Sequence, residues 1–308
     1  MAEVKATNGL AWPAALVGLG IPIACHTVSG GCISVAYQVL IRRETGETQK
    51  LFVKQNQLDF YDNFDCECAG LKQLADVGAI RVPQPVCVAC TAEAAWLITE
   101  WIDSPSPKQR AAADSSKFYE TFGQQLAALH AQTHGTAIGW HRDNYLGAAR
   151  QCNDSTGDDW AAFVGQQRLG YQLDWAGRQG LVSGQLHRDA SQIVLRLPEL
   201  LRGRPSGSSL LHGDLWSGNY LVDAAGQPVL VDPAIYRGCR EAEFGMLRLF
   251  GNCPAAFYAA YHERFPLAEG WQRRVAIYQL YHLLNHLNLF GSGYLDACQR
   301  TARGILAA

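Results

Sequence analysis

Neither sign of charge dominates this chain, and no part of it is long and apolar enough to live outside water. Across 308 residues the formal net charge is −2 and charged side chains make up 18%, with an isoelectric point near 6.5. Nucleic-acid binders carry a basic face, so nucleic acid is not an expected partner. No stretch reaches the roughly 18–20 apolar residues of a membrane span, so no membrane partner is expected. The longest apolar run, 11–25, is punctuated by Pro13, Gly18, Gly20 and Pro22, follows Glu3, and lacks a small-x-small cleavage site. It reads as a short helix (Trp12, Leu16 and Leu19 at helical spacing) leading into a first strand, rather than as a secretory leader. Repeats and low-complexity tracts are missing. So are metal-type cysteine pairs: among ten cysteines, Cys66-x-Cys68 and Cys87-x-x-Cys90 have no second pair at zinc-finger spacing. Scattered thiols of this kind are reduced apolar fillers, as expected of a cytoplasmic chain. What is present is 48% hydrophobic residues, enough chain and enough oil for one large or two modest domains.

Period-two apolar alternation from Ile33 to Ile41, a turn at Glu44-Thr45-Gly46-Glu47, and Leu51-Phe52-Val53-Lys54 predict two strands, with Lys54 at the end of the second. A helix is expected over about 59–76, with Phe60, Phe64, Leu71 and Leu74 on one face. A further hairpin is expected from Val86-Cys87-Val88 and Trp96-Leu97-Ile98-Thr99. Breakers at Asp103-Ser104-Pro105-Ser106-Pro107 mark a link. Beyond it the pattern is helical over about 114–133, 158–179, 184–202, 240–251, 254–264, 271–291 and 293–306, interrupted once by β structure from Leu210 to Asp232. The expectation is an α+β chain in two lobes: residues 1–102, an antiparallel sheet plus one helix, and residues 103–308, larger and mainly helical.

The segment with the most chemical content is His212-Gly213-Asp214-Leu215-Trp216-Ser217-Gly218-Asn219. Asp214 and Asn219 stand five positions apart, and Asp232 ends the apolar run Val229-Leu230-Val231 thirteen positions later. Phosphoryl transfer from ATP needs one carboxylate facing the acceptor hydroxyl, and an amide plus a second carboxylate holding magnesium on the phosphates. The order D-x-x-x-x-N then D matches the kinase signature, with Gly213 where that signature has Arg and Pro233-Ala234 where it has F-G. Any one of these residues alone could be a turn residue; three in register make Asp214 the candidate catalytic group and Asn219 and Asp232 the candidate magnesium ligands.

Other positions fit the same chemistry. Gly30, Gly31 and Cys32 lie between the first two strands, where a glycine-rich loop lets backbone N–H groups approach phosphate. Lys54, and Glu67 about one turn into the next helix, suit the lysine–glutamate pair that braces nucleotide phosphates. Glu100-Trp101-Ile102 closes the last strand of the first lobe, where backbone groups would meet an adenine edge. His212 reads as a residue orienting the loop. Trp216, flanked by Ser217 and Gly218, suits covering a sugar face or amine as well as core packing. His282 and His286 at i, i+4 lack the glutamate of the zinc motif, leaving His286 as a buried polar residue or a pocket wall.

On these residues the chain resembles the fructosamine-3-kinase (ketosamine-3-kinase) family, small kinases related to the aminoglycoside and choline phosphotransferases. The resemblance spans nearly the whole length. It rests on the Gly30–Ile33 loop, Phe52-Val53-Lys54, Glu67 with Gly70-Leu71, Leu126-Ala127-Ala128-Leu129-His130, Gly139-Trp140 with Asp143-Asn144, and Asp158-Asp159-Trp160. The His212–Asn219 block, Asp232-Pro233-Ala234, Glu241-Ala242-Glu243 and the Tyr278–Gly291 segment complete it. The Trp216-Ser217-Gly218 spelling separates it from aminoglycoside and choline kinases. Val35 departs from the pattern, standing where many relatives carry an acidic or small polar residue. The resemblance implies a bilobal protein-kinase-like fold and ATP- and Mg2+-dependent phosphorylation of the 3-hydroxyl of a ketosamine, on a small or protein-bound amine, leading to deglycation and repair. It implies Asp214 as catalytic aspartate, Asn219 and Asp232 on magnesium, and Lys54 and Glu67 on ATP. Trp216 and His286 become sugar-pocket residues. Cys32 becomes a candidate for an intersubunit disulfide, hence a redox-sensitive homodimer. The rival readings are a kinase of another small hydroxylated amine, such as an aminoglycoside or choline, and a non-catalytic ATP-binding redox sensor.

Overall fold

The computed structural model describes residues 12–28, 33–106, 108, 115–154 and 157–308. The expectations placed on Gly30, Gly31 and Cys32 lie outside the described residues. Two compact units are present. The first comprises the described residues of Met1–Asp76, Arg81–Ala113 and Leu221–Asp232; the second comprises those of Val77–Ile80, Asp114–Tyr220 and Pro233–Ala308.

In the first unit, α1 (Ala14–Leu19) precedes β1 (Ile21–Val28), β2 (Val35–Arg42) and β3 (Thr48–Gln57). A 3-10 turn (Leu58–Phe60) opens α2 (Tyr61–Val77), and β4 (Pro85–Cys90) and β5 (Ala94–Glu100) follow. The five strands form one antiparallel sheet in the order β1-β2-β3-β5-β4. Strand alternation sorts its side chains. Val39, Ile41, Leu51, Val53, Trp96 and Ile98 pack with Leu16 of α1 on one face, and Ala95 and Leu97 pack with Phe64 and Cys68 of α2 on the other. Strand β5 is therefore covered on both sides, which is why its sequence reads as a continuous apolar run rather than an alternating one. Two expected boundaries move. β3 continues to Gln57, so Lys54 lies inside the strand; and α2 begins at Tyr61, so Glu67 sits nearly two turns in rather than one. The polar tail Gln55-Asn56-Gln57 hides the extension from a hydrophobicity reading, although the ladder pairs it with Ala94–Trp96.

The second unit contains α3 (Ser115–Gln132), the hairpin β6 (Asn144–Leu146) and β7 (Ala149–Gln151), α4 (Trp160–Phe163), a π-helical stretch (Val164–Gly170), α5 (Tyr171–Arg178) and α6 (Gly184–Leu200). After β8 (Ser209–Leu211) the chain makes β9 (Tyr220–Val222) and β10 (Pro228–Leu230), whose hairpin lies mostly in the first unit. Then come β11 (Tyr236–Gly238), a 3-10 turn (Arg240–Ala242), α7 (Glu243–Leu249), α8 (Ala255–Arg264), α9 (Trp271–Phe290), a 3-10 turn (Ser292–Tyr294) and α10 (Leu295–Ala307). The expected single helix over 158–179 is instead three consecutive segments with a π-helical middle. The β6–β7 hairpin and β11 are additions to the expected β content, because three-residue strands carry no readable period. Helix α9 is buried on nearly every side, and three of its interior polar side chains are bonded across to neighbouring elements. Asn285 accepts from Gln172 at 3.1 Å, Asn288 donates to the Gln172 side chain at 2.7 Å, and Tyr281 donates to Gln151 at 2.9 Å.

Among the described residues no helix is long and apolar enough to cross a membrane.

Candidate active site

Val53 points into the α1-side cluster, so its neighbour Lys54 must point to the face covered by α2. Lys54 pairs in register with Leu97, which packs beside Phe64 on that helix. Glu67 is on the same helix, and the Lys54 ammonium donates to its two oxygens at 2.7 and 2.9 Å. Asp232 Oδ1 lies 2.8 Å from the same nitrogen. Burial opposes the charge on Lys54, but Asp232 and Glu67 outweigh it and hold the ammonium well above the ordinary lysine range. Burial pushes the Glu67 carboxyl up, with Lys54 opposing the rise and Asp232 adding to it. The ammonium is the firm member of the trio, since it faces two carboxylates while they repel one another. Asp232 reaches it from a backbone at φ +56°, the one positive φ outside glycine among the described residues. Such a conformation costs on the order of 1 kcal/mol or more and persists only where surrounding bonds enforce it.

Those bonds come through Arg81. Its carbonyl accepts from Leu230 N–H at 2.9 Å, and its guanidinium donates to Asp223 at 2.7 Å and to Glu100 at 2.6 Å. The hairpin that ends in Asp232 is thereby tied to the end of β5. Glu100 thus serves as a fastening: its side chain accepts from Arg81, and its N–H donates to Gln84 O at 2.8 Å. The strand ends at Glu100, and Trp101 and Ile102 lie beyond it.

In the second unit, β8 pairs with β11, which sets Ala234 against the loop that follows β8. Ala234 N–H donates to His212 O at 2.9 Å. Gly213 adopts φ +83°, and a Cβ there would stand 2.1 Å from Ala234 O. The glycine that replaces the kinase arginine is therefore required by backbone approach. His212 is fully buried, and its Nδ1 accepts from Asp214 N–H at 3.3 Å. Asn219 donates to the Asp214 backbone oxygen at 2.8 Å and to its carboxylate at 3.0 Å, so the five-residue spacing closes on itself. The loop is held from behind by Glu243, which accepts from His212 N–H at 2.6 Å and Gly213 N–H at 3.1 Å. His130 lies 3.4 Å from the same carboxylate and 2.7 Å from Tyr261 Oη. Burial would raise the Glu243 carboxyl, but His130 and the loop amides prevail and keep it below the usual range, as a buried anion.

Glu243 and Asn144 stand in motifs of the family resemblance to which the sequence assigns no role. Asn144 and Gln151 donate to the Ile235 and Ala234 carbonyls at 2.8 and 3.0 Å. Asn153 donates to Asn144 at 2.7 Å and accepts from Arg168 at 2.8 Å. Arg168, in the π-helical stretch, also donates to Cys152 O and lies over the Phe163 and Tyr236 rings at 4.5 and 4.3 Å. These amides grip the backbone beside the Asp214 loop, and composition carried no signal for them.

Trp216 and His286 belong to one aromatic row. Phe250 stands between them, its ring centroid 6.2 Å from Trp216 and 4.9 Å from His286. Phe250 carries no signal in the sequence, because it lies more than thirty residues from either Trp216 or His286, in an unmarked turn after α7.

Three histidines of this unit are held neutral by burial: His130, His282 (pushed down to about 3) and His286. An unfolded chain protonates them near the ordinary value of 6.5, so the unfolded state binds more protons below that pH and stability falls with pH. The expected slope is up to about 1.4 kcal/mol per pH unit for each fully shifted histidine. Glu243, depressed, contributes above the carboxylate range and does not offset this window. Denaturant midpoints that match at pH 7.5 and pH 5.5 would contradict the assignment.

The likeness to known proteins runs through both units. The family model for fructosamine kinase matches residues 21–308. A probable ketoamine kinase of Synechocystis sp. is 41% identical over 281 residues, covering 91% of this chain and 90% of that protein. The chloroplastic protein-ribulosamine 3-kinase of Oryza sativa subsp. indica is 36% identical over 270 residues, covering 87% and 74%. Among solved structures, a candidate fructosamine-3-kinase of Thermobifida fusca superposes with a TM-score of 0.81 at 31% identity, covering 97% and 99%. The α+β, kinase-like layout expected from the sequence is the one found. With the lysine–glutamate–aspartate trio, the closed Asp214–Asn219 loop and a match over most of its length, the chain belongs to the fructosamine kinase family.

Proposed function

We propose that the protein is an ATP-dependent kinase that phosphorylates the 3-hydroxyl of ketosamines, the sugar adducts of amines and lysine side chains. The observation that carries this reading is Lys54 held by both Glu67 and Asp232, the charge arrangement that a nucleotide's phosphates require of a kinase. Family membership supports the acceptor. On this reading residues 1–102 are the nucleotide-binding lobe and residues 103–308 the catalytic and acceptor-binding lobe, with Asn219 and Asp232 of the latter serving the nucleotide's magnesium. Lys54 contacts the phosphates, and Glu67 keeps its ammonium in place. Gly30, Gly31 and the backbone of Trp101 and Ile102 complete nucleotide contact.

Asp214 orients the acceptor hydroxyl and takes its proton as the phosphoryl group leaves ADP. An ordinary aspartate suffices, because a loose transition state asks for alignment more than for a strong base. Asn219 steadies that carboxylate. Asn219 and Asp232 offer the hard oxygen donors that would hold magnesium bound with the nucleotide, an ion that would supply neutralising charge to the transferring group. Among the described residues no three His, Cys, Asp or Glu side chains form a metal-holding group. The 3-phosphate product is unstable on its amine, so the reaction leads to deglycation, and Cys32 is the position through which a redox-sensitive homodimer would form.

The direct test incubates the protein with ribulosyl-lysine and fructosyl-lysine plus Mg-ATP and reads ADP release. Substrate-independent ADP release, or turnover confined to aminoglycosides or choline, would overturn the reading. Asp232→Ala is expected to lose magnesium-dependent nucleotide binding, and unchanged nucleotide titrations would remove its assigned role.

A further inference from the structure

The aromatic row that begins two residues from Asp214 does not stop at His286. The His286 ring lies 5.4 Å from Phe290 and 5.1 Å from Tyr294, which are 6.2 Å from each other. Trp216, Phe250, His286 and Tyr294 are half-buried, while Phe290 is 49% exposed. The row therefore begins at the loop carrying Asp214 and surfaces at the end of α9. Its inner end is clamped to that loop. Ser217 N–H donates to Phe250 O at 3.4 Å, and Gly251, at φ +86°, leaves so little room that a Cβ would sit 2.8 Å from Ser217 Oγ.

The chemistry along the row is uniform. His286 Nδ1 lies 2.8 Å from His282 O; a carbonyl only accepts, so Nδ1 carries the proton and Nε2 is the accepting side of a ring that burial keeps neutral. The five rings in sequence present π faces, with the His286 acceptor nitrogen, the Trp216 indole N–H and the Tyr294 hydroxyl as their polar atoms and no Lys or Arg among them to repel a substrate ammonium. A ketosamine has two ends. The sugar must lie at Asp214, and the other end is a secondary ammonium followed by whatever the amine carried. A ring row suits an ammonium by cation–π attraction and a methylene stem by apolar cover.

We propose that Phe250, Tyr294 and Phe290 form the subsite for the amine substituent of the substrate, selecting ketosamines whose nitrogen bears an alkyl stem such as a lysine side chain. This rests on the ketosamine kinase reading and deepens it: Trp216 and His286 face the sugar and its ammonium, and Tyr294 and Phe290 cover the stem. Because the outermost ring is at the surface, the stem of a lysine within a peptide reaches solvent with its backbone outside.

The test compares two substrates of the intact protein: a fructosyl-lysine peptide and 1-deoxy-1-methylamino-fructose, which keeps sugar and ammonium but has no stem. In the double variant Phe290→Ala/Tyr294→Ala, KM for the peptide is expected to rise roughly tenfold with kcat unchanged, while the methylamine substrate keeps its wild-type kcat/KM and so reports an intact fold. Phe290→Leu, which keeps apolar cover, is expected to restore most of the peptide KM. Equal losses on both substrates, or no loss on either, would overturn the subsite. Wild-type protein that turns over neither ketosamine would overturn the activity itself, a separate result from wild-type turnover with variants that do not discriminate.

Discussion

Asp214→Asn is expected to lower kcat by about 10²–10⁴-fold while leaving nucleotide affinity and thermal stability unchanged. The substitution keeps the shape of the side chain and one oxygen able to accept the Asn219 bond that now measures 3.0 Å. The backbone bond from Asn219 to the Asp214 carbonyl at 2.8 Å does not involve the side chain at all. The Glu243 carboxylate still holds the loop through the main-chain N–H groups of His212 and Gly213. On the proposed function, what disappears is the negative charge that aligns the acceptor hydroxyl and the site that receives its proton. The same proposal gives nucleotide binding to Lys54, Glu67 and Asp232, which are untouched. ADP release with a ketosamine acceptor, beside a nucleotide titration, separates the two quantities. A variant that keeps more than on the order of a tenth of wild-type turnover would show that Asp214 is not the group at the acceptor.

Glu243→Ala is expected to act on stability and turnover together. Removing the carboxylate leaves the His212 and Gly213 amides, which it now meets at 2.6 and 3.1 Å, without an acceptor in a region closed to water. It also strips His130 of one of its two partners. Two orphaned buried donors cost roughly 2–5 kcal/mol, which lowers Tm by several degrees or more for a chain of this size. The loop that carries Asp214 then loses its rear support, so kcat falls even in the fraction that remains folded. Glu243→Gln should lie between the two, since one carbonyl oxygen can still accept while the amide NH2 confronts the second donor. A Glu243→Ala protein with the wild-type melting profile and full turnover would mean that the β8–β11 pairing alone sets the loop.

The residues of the candidate site were legible in the sequence to the extent that their chemistry depends on local spacing. The five-residue interval from Asp214 to Asn219 closes a loop whose two ends bond each other, and that is a short-range fact. Lys54 and Glu67 were also readable, because strand alternation and helix periodicity give each side chain a face. Glu243, Asn144, Gln151, Asn153 and Arg168 were not readable as supports. A buried carboxylate or amide looks in sequence like any surface one until the fold brings a backbone amide or carbonyl to it. Phe250 was hidden for the same reason, being one aromatic residue in an unmarked turn.

By itself the sequence determined the α+β class, the order of the main elements and which residues stand as candidates for phosphoryl chemistry, because hydrophobic period and residue type are properties of the chain taken a few residues at a time. Only the tertiary structure decided that Asp232 turns back on Lys54 from a left-handed backbone, that Glu243 is a buried anion behind the Asp214 loop, and that Trp216, Phe250 and His286 are neighbours. Each of these joins residues that lie tens to well over a hundred positions apart in the chain or forces one into a conformation it would not take alone, and such arrangements are set by packing and by the need to satisfy buried polar groups, which no local pattern records.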